Sequence, residues 1–157
     1  MTAYSSPAAM PGSHADTRVV GRRVAQYLVD AILLGVLGLI AWGIWLLAPT
    51  NPDGTLRGFG GFLVALVAGV VGVAIWVWYW VLRPAGHNGQ TFGMQLLDLR
   101  ITHASGAPAS RGQLLVRALF LFVDTLFLGL VGLVTMLSSR NHQRVGDLVA
   151  STFVIRT

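Results

Sequence analysis

The sequence contains no cysteine, no lysine and no glutamate. Without cysteine there is neither a disulfide nor a thiolate metal site, and the redox compartment stays open. Every basic side chain is an arginine and every acidic one an aspartate, 11 against 6, for a net charge of +5. Charge as a whole is scarce: 11% of the 157 residues carry it, where a soluble domain runs nearer ~25%. So few charges cannot clothe a water-soluble fold that is 54% hydrophobic. The length allows one domain and leaves no room for separate catalytic and membrane modules. Catalytic signatures are missing too: there is no Gly-x-Ser-x-Gly, no cleft-type carboxylate pair and no His-Asp-nucleophile set. His87, His103 and His142 stand at no metal-ligand spacing. These absences predict a protein that is not an enzyme and holds no cofactor or metal.

What the chain does have is long apolar runs, with a mean hydropathy of +0.67. The stretches 24–48, 59–82 and 114–137 are each long enough, at about 1.5 Å of helical rise per residue, for a hydrocarbon core of roughly 30 Å. The first is interrupted only by Gln26, Tyr27 and Asp30, the second has no charge, and the third carries Arg117 and Asp124. The first two predict transmembrane helices. The first is too long for a signal-peptide core and runs into a polar turn, Pro49-Thr50-Asn51-Pro52-Asp53-Gly54, so it is read as uncleaved. Residues 1–17, rich in Ser, Ala and Pro, read as a disordered tail ahead of a membrane domain over 18–157.

Arginine positions set the expected orientation. Arg18, Arg22 and Arg23 precede the first span, the following loop is neutral with Asp53 and Arg57, and Arg83, Arg100 and Arg111 follow the second. By the positive-inside rule the N-terminus and the 83–113 loop face the cytoplasm, beside anionic headgroups rather than nucleic acid. Trp42 and Trp45 are expected to anchor the outer end of the first span. Trp76, Trp78, Tyr79 and Trp80 would anchor the inner end of the second.

The third stretch admits two readings. A single crossing would carry Arg140, Arg144 and Arg156 outside, against the rule. A bend at Gly129–Gly132 would make a re-entrant hairpin packed on the other spans and return the C-terminus to the cytoplasm. Segments 97–102 and 151–157 alternate apolar residues and suit an antiparallel β pair, which needs both on one side. The hairpin is therefore the expectation carried forward. The predicted fold is all-α and membrane-embedded, with a small cytoplasmic lobe containing that pair.

Charges within the apolar stretches are costly and need partners. Arg23 and Asp30 lie seven residues apart, close to two helical turns, so they share a face, as do Arg117 and Asp124. Pairing within each couple is the expectation. Aligning Arg23 with Arg117 also matches Val29 with Val123, Leu34 with Leu128, Gly35 with Gly129, Gly38 with Gly132 and Leu39 with Leu133, which is either chance or two helices in similar roles. Gly35/Gly38, Gly69/Gly72 and Gly129/Gly132 are expected to be close helix contacts.

Four motifs in order resemble the RDD (Arg-Asp-Asp) family of membrane proteins. Arg23-Val-Ala-Gln-Tyr-Leu-Val-Asp30 resembles its opening Arg-x6-Asp. Gly89-Gln90-Thr91-Phe92-Gly93 is similar to its Gly-(Gln/Lys)-Thr-x-Gly loop. Arg117 matches an arginine that opens its third apolar stretch, and Arg144 to Thr152 is similar to its Leu-His-Asp-x-x-Ala-Gly-Thr close. Gly146 and Ser151 depart from the family's frequent His and Gly. The resemblance covers residues 20–157 and places the family's three residues on Arg23, Asp30 and Asp147. It implies a multi-pass protein of the bacterial cytoplasmic membrane and, loosely, transport. Physically, Thr91 reads as the cap of a short interfacial helix that turns Phe92, Met94, Leu96 and Leu97 to lipid; Walker spacing and its lysine are missing, so no nucleotide is expected.

Two functions follow. One is transport of a small ion, proton-coupled through Asp30 and Asp124, which needs a homo-oligomer because three stretches enclose little volume. The other is an accessory or assembly subunit of a larger membrane complex. Buried charge favours the first and size the second; transport is the expectation carried forward.

Overall fold

A proline-free run, closed off before Pro49, carries helix α1 from Thr17 to Trp45. In the computed structural model, residues 17–139 and 141–157 are described. The tail read at 1–17 lies outside them save for Thr17, which opens α1. Gly58–Val77 forms α2, which continues through a π-helical turn at Trp78–Leu82 into the short α3, Arg83–Gly86. Sequence reasoning stops this helix at Pro84. The structure carries it one turn further, because the π turn has already broken the regular ladder: the Arg83 amide bonds back to the Trp78 carbonyl. Gly58–Gly86 is thus one apolar helical run of 29 residues, and with Val20–Trp45 it makes two helices long and apolar enough to cross a membrane. They pack against each other, with Gly72 close to Ala41.

Beyond α3 the chain builds a compact lobe. Helix α4 spans Phe92–Leu96, and strand β1 spans Leu99–His103. The third apolar stretch opens as α5, Arg111–Thr125, whose start is fixed by a capping box. Ser110 Oγ accepts from the Gln113 amide at 3.3 Å, and the Gln113 side chain accepts from the Ser110 amide at 3.0 Å. A 3₁₀ turn at Leu126–Gly129, with Gly129 at a φ of 87°, then swings the chain into α6, Leu130–Ser138. The two helices are bent by 108°. Short helix α7, Val145–Val149, and strand β2, Thr152–Arg156, complete the chain.

Strand β2 pairs antiparallel with β1, in register from Leu99↔Arg156 to His103↔Thr152. Because β1 precedes the third stretch and β2 follows it, the pairing holds both ends of that stretch on one side of the molecule. A straight helix does not fit this pairing; the bend makes the stretch a broken span or a re-entrant loop. The core lies where the end of α2, α4, the sheet and α5 meet, around Tyr79, Met94, Leu99, Ile101 and Leu114. It does not lie between the spans, whose apolar windows are only 6% and 11% buried.

Two expectations are corrected here. Tyr79 and Trp80 are core residues, not interfacial anchors, because the π turn swings them inward; Trp42, Trp45 and Trp78 are exposed as anchors would be. In α4, Phe92 and Leu96 face outward, but Met94 is buried, since α4 lies on α1 rather than free at an interface.

Candidate functional site: two buried carboxylates at the foot of the membrane helices

The first carboxylate belongs to Asp147, the acidic residue in the first turn of α7. Arg23 from α1 and Arg117 from α5 both form ion pairs with it, one on each oxygen. The Arg144 amide donates to Asp147 Oδ2 at 3.1 Å. Arg117 also donates to Thr152 Oγ1 at 2.7 Å, and Arg23 to the His142 carbonyl. Burial alone works to raise the Asp147 carboxyl. Arg117, Arg23 and Arg144 outweigh it and hold the group well below the ordinary carboxylate range. One charge thus ties together α1, α5, α7 and the start of β2.

The second carboxylate, Asp30, is 0% exposed and meets no cation among the described residues. It accepts four hydrogen bonds instead. Tyr79 Oη donates to Oδ1 at 2.6 Å, the Gly93 amide to Oδ1 at 2.7 Å and Thr91 Oγ1 to Oδ2 at 2.7 Å. The Gln26 side chain, one helical turn back, donates to Oδ2. The π turn is what aims Tyr79 here, since it re-phases the end of α2. Thr91 serves twice, as donor to Asp30 and as the cap accepting from the Met94 amide at 3.2 Å. Glycine is required at 93: a Cβ there would lie 2.7 Å from both Asp30 Oδ1 and the Gln26 carbonyl.

The loop motif is therefore a clasp. Gln90 reaches the Leu99 carbonyl at 2.8 Å, the Gly89 carbonyl accepts from the Ile101 amide at 2.9 Å, and Thr91 and Gly93 hold Asp30. Asp124 also finds backbone donors, the amides of Val145 at 3.0 Å and Gly146 at 3.5 Å. The absence of histidine at 146 has a local reason: a Cβ on Gly146 would sit 3.0 Å from the Arg117 carbonyl and 3.1 Å from Phe120 Cβ.

The expected couples do not form. Arg23 pairs with Asp147 and not with Asp30; Arg117 also pairs with Asp147, while Asp124 caps the backbone of α7. Seven residues place about 10 Å of rise between Arg23 and Asp30, and α4 and α7 enter at the two levels to supply nearer partners. Of the small residues expected at helix contacts, Gly72 and Gly132 meet neighbours, whereas Gly35, Gly38, Gly69 and Gly129 have open space beside them. Sequence reasoning does not reach Gln26, Tyr79 and Thr152 as site residues, nor Gln143, whose side-chain amide donates to the Thr152 carbonyl at 2.9 Å. The i,i+4 spacing of Gln26 to Asp30 was the one local signal available for them.

Among the described residues no group of acidic or histidine side chains is placed to hold a metal. A cavity of about 20 Å³ is lined by Thr91 together with Arg117, Asp124, Arg144 and Asp147, room for little more than one water. No curated protein and no solved structure matches the chain. The sequence profile of the RDD family matches residues 17–151. Within that region Arg23, Asp30 and Asp147 sit at the heart of the buried polar network, and the chain belongs to the RDD family.

Proposed function

We propose that this protein is a non-catalytic docking subunit of a larger assembly in the bacterial cytoplasmic membrane. In this reading its polar network serves to hold a cytoplasmic lobe rigidly at the foot of a transmembrane hairpin. The observation that carries the reading is how the polar groups are spent. Arg23, Asp30, Arg117 and Asp147 are all consumed in joining lobe to helices, while the spans stand almost bare. Two bare helices enclose no path, but they offer faces to other helices. Gly35 and Gly38 on α1 and Gly69 on α2 have nothing within 4 Å of a would-be Cβ, which suits the close approach of a partner backbone.

The test is isolation in mild detergent. A larger complex should co-purify with wild type, and Gly35→Leu should release it without loss of the folded chain. A second reading, proton-coupled transport by an oligomer, draws on Asp30 being a buried carboxylate without a cation. Purified protein in liposomes that carries protons down an imposed gradient, with the activity removed by Asp30→Asn at unchanged oligomer size, would replace the docking reading.

A further inference from the structure

The bend between α5 and α6 leaves a second cavity, of about 180 Å³, between those helices and α1. Its walls are apolar, with Leu28, Leu121, Leu133 and Met136, and its polar end is formed by Arg144 and Asp124 together with Arg23. Arg144 is 7% exposed, yet among the described residues its guanidinium makes no hydrogen bond and no ion pair; only its backbone amide is engaged, with Asp147. The carboxylates of Asp124 and Asp147 are near enough to feel its charge, so what stays unused is its fork of N–H donors, and that marks a place where an acceptor belongs. The rim of the cavity is apolar and outward-facing: Leu28 and Leu130 are each 56% exposed, on the same surface as the bare spans.

We infer that this cavity is a lipid site, in which the phosphate diester of an acidic phospholipid sits on Arg144 and the start of an acyl chain lies along Leu28, Leu121 and Leu133. The phosphate oxygens take up N–H donors of Arg144 that the described residues leave unused. Guanidinium suits a phosphate because its fork offers parallel donors to two oxygens. The apolar rim selects for an anion that arrives from the bilayer rather than from water. The inference does not depend on the docking reading, since it rests on the cavity and on Arg144 alone.

Native mass spectrometry of the full chain with added phosphatidylglycerol or phosphatidylcholine tests it. Wild type should retain one phosphatidylglycerol per chain and little phosphatidylcholine. Arg144→Gln should weaken retention about tenfold or more, the scale of one lost charge-assisted bond. Leu133→Trp fills the cavity and leaves every charge in place, so it should displace the lipid even if Arg144→Gln folds poorly. Arg100→Gln, an exposed cation on β1, should change nothing. Equal retention of the two lipids, or retention unaffected in the folded Arg144→Gln and Leu133→Trp proteins, would overturn the lipid site. Displacement of phosphatidylglycerol by inorganic phosphate alone would reassign it to a free anion and overturn it equally.

Discussion

Asp147 and Asp30 are both buried and are satisfied by opposite means. Asp147 sits on the lobe and draws cations to it from two helices, Arg23 and Arg117. Asp30 sits on a membrane helix and is met only by neutral donors, one from its own helix, one from the end of α2 and two from the loop around α4. An ionic cluster spends strong attraction against heavy desolvation, so losing one member strands the others. A cage of neutral donors divides the cost among several weaker bonds, and losing one leaves the rest in place. The difference teaches that Asp147 is the pin on which the fold turns, while Asp30 sets the depth and angle at which the lobe meets α1.

Breaking the pin should have the largest effect. Asp147→Asn leaves Arg23 and Arg117 buried without their shared counter-charge and should cost about 3–5 kcal/mol, seen as loss of folded protein in detergent by thermal unfolding. The pH dependence has a definite sign. The folded carboxyl is held below the ordinary range, so its contribution is fully present above about pH 4, the unfolded value, and fades only in stronger acid as the folded group is protonated. Acid titration of wild type should thus lose stability in that strongly acidic window, and Asp147→Asn should lack that loss. A double-mutant cycle of Arg23 with Asp147 should show strong coupling, and Arg23 with Asp30 near-additivity.

The donor cage should yield more gently. Asp30→Asn keeps the volume but replaces one acceptor oxygen by an NH₂ that only a hydroxyl among its present donors can accept from, for an expected loss of about 1–3 kcal/mol. A loss as large as that of Asp147→Asn would erase the proposed distinction. Gly93→Ala probes the cage from outside: the new Cβ would press on Asp30 and on the backbone of α1, at about 1–3 kcal/mol by overpacking. The smallest change expected is a gain. Ser151 holds a φ of 51° just before β2, where the family often has glycine. Ser151→Gly relieves that left-handed strain, at the expense of some chain entropy, and should stabilise by roughly 0.5 kcal/mol. Thermal unfolding resolves a shift of that sign.

Much of this was legible before the fold. Hydropathy marked both spans, and alternation of apolar residues marked the strand pair within two residues of its observed ends, β1 and β2. The charges that matter, Arg23, Asp30, Arg117, Asp124 and Asp147, stood out because charge is rare in this chain. Their partners did not. Helical periodicity reports which residues share a face, and it correctly put Arg23 and Asp30 on one; it says nothing about which element enters opposite that face. Tyr79 was hidden because a π turn shifts the phase that periodicity assumes.

By itself, then, the sequence determined a membrane protein of two apolar helices with a third apolar stretch and a small paired-strand lobe, since these follow from local composition and spacing that any fold must respect. Tertiary structure alone decided that Arg23 and Arg117 converge on Asp147, that Asp30 is caged by α2 and α4, and that Arg144 faces a cavity without a partner. Those outcomes depend on where a 108° bend and a strand pairing return the end of the chain, a long-range closure to which no local run of residues bears witness.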